Sequence, residues 1–318
     1  MTGVRGEGKR TMKIFSVRSK RKAIQNLVGY LYVAPVILGV LFFTLTPVLY
    51  AFICSFFETQ LKPFSLTDWG SFVGLKNYYQ NFTNYYYRKL FFSSLGVTFL
   101  YAVTYIPISL VLSFLLAVLL NRKLPGMRFF RVLFYLPVLI PAVCSGLLWN
   151  RITDPNWGVI NAILEPIGLG DWQWFESPDT SMISFIFVNL FTIGGNMILW
   201  LAQLKNVPAE LYESARLDGA GKVRQLLSIT LPVCSPMILY NVIMSVIGVM
   251  QTYAQVITLV GGPGAGNSLF FYVMNIYDNR VSAFGYTCAL SFILFAIIGV
   301  LTAIVMKTSK WVYYTEEG

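Results

Sequence analysis

Long apolar runs alternate along this chain with short polar segments that carry most of its charge. Each run is long enough to cross a hydrocarbon core roughly 30 Å thick as a helix. A single bundle in lipid accounts for this repetition more simply than two soluble domains, so we predict an all-α integral membrane protein with about six spans. They are predicted at Val28 to Ile53, Phe92 to Leu120, Val132 to Trp149, Met182 to Leu204, Val233 to Ile257 and Phe284 to Met306.

Composition agrees with a lipid-exposed surface. Of the 318 residues, 56% are hydrophobic and 12% are charged, which is about half the charged share of soluble domains. The first apolar run follows basic residues but is too long for the apolar part of a signal peptide, so we interpret it as a retained span. The predicted domains are a basic arm at 1–27, a transmembrane domain at 28–306 and a tail at 307–318.

Lysine and arginine residues predict the orientation. The formal net charge is +10, but the basic residues lie between apolar runs and form no single basic face, so nucleic-acid binding is disfavoured. Eighteen of the 24 lie in the N-terminal arm, at 121–131, at 205–224 and in the tail. Cytoplasmic segments are enriched in Lys and Arg. Both termini are therefore predicted to be cytoplasmic.

The apolar runs exclude several kinds of chemistry. None contains Asp, Glu, Lys, Arg or His, the residues that mark proton and ion pathways in membranes. The four cysteines are isolated, so we expect no metal site. Residues 261–268 nearly match a phosphate-binding loop, but Asn267 replaces its lysine, and we interpret them as an external turn. We expect no cofactor in this chain, and any ATP hydrolysis must occur in another subunit.

Amide, hydroxyl and aromatic side chains in the fourth and fifth spans are the candidates for binding a solute. Such groups suit a polyhydroxylated ligand, although hydrogen bonds between helices would explain each residue as well. Thr192, Asn196 and Trp200 recur at every fourth position and so share one face of an ideal helix. The predicted substrate pathway consists of Thr192, Asn196, Ser245, Gln251, Thr252 and Tyr253.

The cytoplasmic segment from Val207 to Pro232 predicts a short helix, a glycine turn and a second short helix. Pro208 suits the start of a helix, and Gly219 and Gly221 can end one. The segment carries no catalytic group. It is typical of a docking element for a partner protein.

This segment closely resembles the EAA loop of permease subunits in bacterial ATP-binding-cassette importers. The resemblance rests on the pattern E-x-A-x-x-x-G-x9-I-x-L-P, which begins at Glu213 and ends at Pro232; Ser214 stands where the motif's name has alanine. The remaining chain past the N-terminal arm resembles the sugar branch related to the maltose transporter. The segments that carry this second resemblance are F-V-G-L-K-N-Y at 72–78, L-P-G-M-R-F-F-R at 124–131, G-V-I-N at 158–161, G-G-P at 261–263 and F-G-Y at 284–286.

The resemblance implies the type I importer permease fold in the bacterial cytoplasmic membrane. It implies a second permease, a dimer of ATPase subunits that binds ATP and Mg, and an extracytoplasmic solute-binding protein. The second permease is expected to differ from this chain, although a pair of identical chains remains open. The residues that would couple to the ATPase are Glu213, Ser214, Ala215, Asp218 and Gly219.

Other functions remain as alternatives. An ion-coupled secondary transporter is disfavoured by the uncharged spans and the single six-span unit. A membrane-embedded enzyme or scaffold is disfavoured because no paired acid and base is found. The same importer class could also carry a solute other than a sugar.

Overall fold

The protein is described by a computed structural model that covers residue 26 and residues 28–60, 70–122, 124–168, 170, 172–260 and 269–312. The predictions made for the arm at 1–25, the turn at 261–268 and the end of the tail at 313–318 lie outside these described residues.

Helices dominate the described residues. Three are long, apolar and continuous, and three further pairs of helices qualify as spans only when each bent pair is counted as one. Six spans result on that count. In chain order the elements are α1 Val28–Cys54, β1 Phe57–Glu58, β2 Ser71–Phe72, α2 Lys76–Thr83, α3 Tyr85–Leu120, α4 Met127–Tyr135, α5 Ala142–Ile152, α6 Val159–Leu164, α7 Pro178–Leu190, α8 Gly194–Lys205, α9 Ala209–Leu217, α10 Lys222–Val233, α11 Ser235–Met250, α12 Ala254–Val260, α13 Tyr272–Asn279 and α14 Phe284–Lys307.

The third span differs from the continuous helix predicted at Val132 to Trp149. It consists of α4, a 3-10 turn at Leu136–Leu139, and α5, with a bend of 99° between the two halves. Pro141 accounts for the break, because a proline disfavours helical geometry in the residue before it. Ile140 accordingly has extended angles of φ −79° and ψ 123°.

The fourth and fifth spans are bent as well. The helices α7 and α8 meet at 46° after a turn at residues 191–193, and α10 and α11 meet at 68°. The fifth span was predicted to run to Ile257, but α11 ends at Met250 and a non-helical turn separates it from α12. Instead of prolonging α11, α12 packs against α5, where Asn150 Nδ2 donates a 2.8 Å hydrogen bond to the Leu259 carbonyl.

The helix α3 lies at the centre of the bundle and packs against α2, α8, α11 and α13. It starts at Tyr85, before the predicted Phe92, because the Asn84 side chain caps it by accepting from the Tyr86 N–H. Two buried clusters surround it. One includes Tyr101, Phe185, Phe271 and Tyr272, and the other includes Phe114, Met197, Trp200 and Cys234.

A small assembly that contains both described strands packs beside α1, α3 and α14. The strands β1 and β2 pair antiparallel, with Phe57 opposite Phe72 and Glu58 opposite Ser71. The helix α2 follows the hairpin and packs against α3 and α14. We call this assembly, comprising β1, β2, α2 and residues 282–286, the hairpin corner.

Candidate functional site

The helices α9 and α10 form a helix–turn–helix unit, as the sequence predicted for Val207 to Pro232. The turn closes α9 with two backbone hydrogen bonds, from Gly219 N–H to Arg216 O (3.0 Å) and from Ala220 N–H to Ala215 O (2.8 Å). This is the Schellman pattern, which requires a left-handed residue just past the helix end. Gly219 supplies it with φ +76°. We call residues 209–225 the α9–α10 loop.

The α9–α10 loop is anchored on its inner side. The Tyr212 hydroxyl lies 2.8 Å from Thr230 Oγ1 in α10, and Tyr212 packs against the buried cluster around Trp200. Val207, which precedes α9, is buried in the same cluster. These contacts connect α9 to both α8 and α10 through close-packed side chains.

The outer side of the loop has few partners within the chain. Glu213, Ser214, Asp218 and Gly219 are exposed, and Ala215 is half-buried. In the described part of the chain, no charged side chain of α9 makes an ion pair. Leu217 is 90% exposed and Val223 is 70% exposed. Exposed apolar side chains beside unpaired charges are typical of a protein interaction surface.

The residues predicted to line a substrate pathway concentrate at breaks in the spans. Thr192 lies in the turn between α7 and α8, and Gln251, Thr252 and Tyr253 lie in the turn between α11 and α12. Non-helical backbone within a membrane is tolerated where it is buried in protein or borders a cavity, and transporters bind solutes at such broken helices. The helices α7, α8 and α11, which border these turns, pack against α3, and α8 also contacts α11.

Hydrogen bonding divides these candidates into two groups. Thr192 Oγ1 donates to Asn189 O (2.8 Å) and Thr252 Oγ1 to Gly248 O (3.4 Å), while the Tyr253 ring lies 5.0 Å from that of Tyr277. The other three candidates, Asn196, Ser245 and Gln251, have side chains that make no hydrogen bond within the described residues. All three are at least partly accessible. Their amide and hydroxyl groups therefore have hydrogen-bonding capacity that the described residues do not use.

The predicted stripe of Thr192, Asn196 and Trp200 is wrong. Trp200 is 2% exposed, donates from Nε1 to Ser113 Oγ (3.2 Å) and packs against Phe114. Thr192 lies outside α8, so the spacing of four residues does not hold across the bend. Trp200 is a core residue. The polar residues Asn189 in α7 and Asn241 in α11 also donate to carbonyl groups of their own helices.

Sequence reasoning did not single out the residues that hold the bends. Gly194 lies against the Phe134 carbonyl, where a Cβ atom would overlap the backbone of α4. Gly146 likewise lies against Thr258 and the Gln255 carbonyl of α12. The only available signal was glycine within an apolar run, which permits close backbone approach.

Comparison with known proteins gives the family. The model of the "Binding-protein-dependent transport system inner membrane component" family matches residues 120–310. The chain belongs to this family. The matched residues contain the α9–α10 loop and all three bent spans. The predicted identity of an importer permease is therefore confirmed.

Curated relatives extend the similarity to almost the whole chain. The probable ABC transporter permease protein YesP of Bacillus subtilis (strain 168) is 33% identical over 97% of this chain and 98% of its own length. The arabinooligosaccharides transport system permease protein AraP of the same organism is 31% identical over 88% of each chain. The trehalose/maltose transport system permease protein MalF of Thermococcus litoralis is 26% identical over 93% of this chain and 98% of its own.

Solved structures confirm the fold. A chain of a bacterial ABC transporter involved in the import of the acidic polysaccharide alginate superposes with a TM-score of 0.77 at 20% identity, covering 93% of this chain and 100% of its own. A second structure of that transporter, in complex with an alginate-loaded periplasmic protein, gives 0.73 over 91% and 94%. The predicted type I importer permease fold is therefore confirmed.

Proposed function

We propose that this permease forms the membrane pathway of an ATP-driven importer for a neutral saccharide. Its relatives include permeases named for arabinooligosaccharides, diacetylchitobiose and lactose. The predicted spans contain no ionisable residue of the kinds that mark ion pathways. A solute handled by amide, hydroxyl and aromatic groups alone fits an uncharged polyol.

The observation that carries this proposal is the two-sided construction of the α9–α10 loop. Its inner side packs against α8 and α10, whereas its outer side exposes Glu213, Asp218 and the apolar Leu217. A partner ATPase with basic side chains around a groove would complement that surface through charge-assisted hydrogen bonds and apolar contact. ATP and Mg are bound by this partner.

Coupling follows from the connections of the loop. Closure of an ATPase dimer would displace α9, and the contacts of Tyr212 and Val207 would carry the displacement to α8 and α10. The helix α8 begins just after the turn that holds Thr192, and α10 leads into α11, which ends at Met250, just before Gln251. Four of the six substrate pathway candidates are thus located where a span changes direction, and a small rotation there would alter access.

The orientation and the partners complete the proposal. Both termini face the cytoplasm and the segment 154–179 lies outside, as the excess of basic residues on alternate segments indicates. A second permease faces this chain, and we propose that it is a different protein. A solute-binding protein delivers the saccharide from the outside.

The test of the function is copurification followed by an activity assay. The tagged full-length chain, extracted in mild detergent, is expected to bring an ATPase with it. In proteoliposomes with the cognate binding protein, maltose, lactose or arabinotriose should stimulate ATP hydrolysis. Uptake that proceeds without ATP, or that follows an ion gradient, would replace the proposal with the ion-coupled alternative.

The substrate pathway needs its own test. The double variant Asn196→Ala/Gln251→Ala removes two unpaired amides, and each lost hydrogen bond to a sugar hydroxyl should weaken binding by ~1 to 3 kcal/mol, roughly five-fold to a hundred-fold. Asn189→Ala is the matched control, because that amide already bonds to Phe185 O within its own helix. Normal uptake by the double variant would remove these residues from the pathway.

Orientation can be measured with single cysteines at Gln173 and Lys222, which are both exposed. Cys144 is the one exposed native thiol within the described residues and is changed to serine first. An impermeant thiol reagent on intact cells should label position 173 and spare position 222. Labelling of position 222 but not of position 173 would show that the topology is the reverse of the one proposed.

A further inference from the structure

Two segments that the importer mechanism does not use come together in the hairpin corner. The motifs at 72–78 and 284–286 are more than 200 residues apart in sequence, yet both border one cavity of about 330 Å³. Glu58, Thr59, Lys76, Gln80, Tyr87 and Tyr286 are among its lining residues. The cavity is at the small end of the range of roughly 300–1,000 Å³ for small-molecule sites.

The framework around the cavity is held by buried, directional contacts. Tyr286 donates its hydroxyl hydrogen to Asn81 Oδ1 at 2.6 Å, and Asn77 Nδ2 donates to the carbonyl groups of Ser55 and Phe57 at 2.9 Å each. Gly285 lies so close to the Phe57 carbonyl that any Cβ atom would overlap it. Contacts of this kind fix the positions of both motifs and so preform the cavity.

The cavity wall carries polar groups that the fold itself leaves unused. Thr59 is 8% exposed, and its hydroxyl has no hydrogen-bond partner among the described residues. The Gln80 amide and the Ser282 hydroxyl likewise make no hydrogen bond within the described part of the chain. Leaving a buried polar group without a partner destabilises the folded protein. A ligand that hydrogen-bonds to Thr59 would remove that destabilisation.

Charge and ring geometry narrow the class of ligand. Lys76 Nζ lies 3.0 Å from Glu58 Oε2, so the cationic group already has an anionic partner. An anionic ligand would compete with that pair, and an apolar ligand would leave the polar wall unsatisfied. The half-buried ring of Tyr87 adds an aromatic surface and packs against the buried ring of Tyr286, with centroids 4.7 Å apart. Hydroxyl and amide groups beside aromatic rings match the face and the hydroxyls of a sugar.

We propose that the hairpin corner is a second saccharide site, separate from the pathway at the span breaks, which binds one sugar unit on the external side. This proposal rests on the orientation given under the proposed function. Thr59 and Gln80 supply hydrogen bonds, and the Tyr87 ring, held in place by the buried Tyr286, supplies the apolar contact. The site holds a saccharide at the entrance to the permease.

The experiment measures protection of a cysteine at the cavity rim. Ser282→Cys changes one atom of a lining residue, and Val281→Cys, whose position is 57% exposed and does not line the cavity, is the matched control. Both are made in a Cys144→Ser chain and labelled with an impermeant maleimide in right-side-out membrane vesicles washed free of soluble binding protein. The probes are maltose, trehalose, lactose and diacetylchitobiose, with betaine as an osmotic control.

At least one of these saccharides is expected to slow labelling of position 282 and leave position 281 unaffected. Adding Thr59→Val should raise the half-protecting concentration roughly five-fold or more, whereas Thr59→Ser, which keeps the hydroxyl, should preserve protection. Equal labelling of position 282 with and without all four saccharides overturns the site. Labelling of both cysteines only in inverted vesicles overturns its external location.

Independence from the substrate pathway is tested in the same assay. Protection of position 282 should persist when Asn196→Ala/Gln251→Ala is added, because the hairpin corner does not contain those residues. Loss of protection in that background would show that position 282 reports binding elsewhere and would overturn the second site. The uptake assay on the double variant tests the substrate pathway separately. The second saccharide site and the substrate pathway can therefore fail independently.

Discussion

The hairpin corner and the α9–α10 loop both carry motifs visible in the sequence, but they use them in opposite ways. In the hairpin corner, Gly285 and Tyr286 point inward and are buried against β1 and α2. In the α9–α10 loop, Glu213 is exposed and Gly219 has no atom within 4 Å of where its Cβ would lie. The motif in the first region stabilises the chain's own fold, whereas the motif in the second lies on the surface, where we propose that a partner binds.

This contrast predicts that variants of the hairpin corner lose stability and variants of the α9–α10 loop lose transport. Four substitutions test it, ordered by the expected loss of folding stability. Stability is measured as the melting temperature of the detergent-purified chain, and transport as ATP-driven uptake.

Gly285→Val should have the largest effect on stability. The valine side chain would overlap the Phe57 carbonyl, and overpacking of this kind costs ~1–3 kcal/mol or more. We expect a clear fall in melting temperature and in the yield of inserted protein. Gly299→Val is the control, because Gly299 lies in the same helix and a Cβ there meets nothing within 4 Å. Equal melting temperatures for the two variants would contradict the packing described for the corner.

Tyr286→Phe should have an intermediate effect. It removes the hydroxyl that donates to Asn81 Oδ1, and Asn81 is fully buried, so the acceptor is left unpaired at a cost of about 1–3 kcal/mol. Tyr85→Phe provides the comparison, since Tyr85 is 82% exposed. The prediction fails if Tyr286→Phe and Tyr85→Phe change the melting temperature by the same amount.

Gly219→Val should disturb the α9–α10 loop locally. A β-branched residue at φ +76° costs roughly 1–3 kcal/mol, which the exposed turn can relieve by losing its Schellman hydrogen bonds. We expect uptake to be lost while the melting temperature falls only slightly. Gly219→Asn should retain most uptake, because asparagine tolerates left-handed geometry. If valine and asparagine variants transport equally well, the shape of this turn has no role in coupling.

Glu213→Lys should leave stability unchanged within about 0.5 kcal/mol, as expected for an exposed residue without partners in the chain. Uptake and ATPase recovery in pull-downs should nevertheless fall, since reversing the charge replaces attraction by repulsion at the proposed interface. Glu213→Gln, which is isosteric and neutral, should give a smaller defect. Normal import by the Glu213→Lys variant would refute a coupling role for this side chain.

The sequence was most informative where the cause of a structure is local. The six apolar runs predict six spans because a helix in lipid satisfies its own backbone hydrogen bonds, whatever surrounds it. Gly219 was recognised as the end of α9 for a similar reason, since the turn depends on one residue's freedom to adopt a positive φ. Family membership followed from the motif beginning at Glu213.

The bends and the inward or outward position of motif residues were decided by tertiary structure. The break in the third span has a local cause in Pro141. The close approach of Gly194 to Phe134 does not, because it involves residues of two separate spans. The spacing of Thr192, Asn196 and Trp200 suggested one face, and the bend at residues 191–193 separated them. The cavity of the hairpin corner depends on contacts between residues more than 200 positions apart, such as Asn81 and Tyr286. Periodicity describes one helix at a time, and only packing determines which helix faces meet.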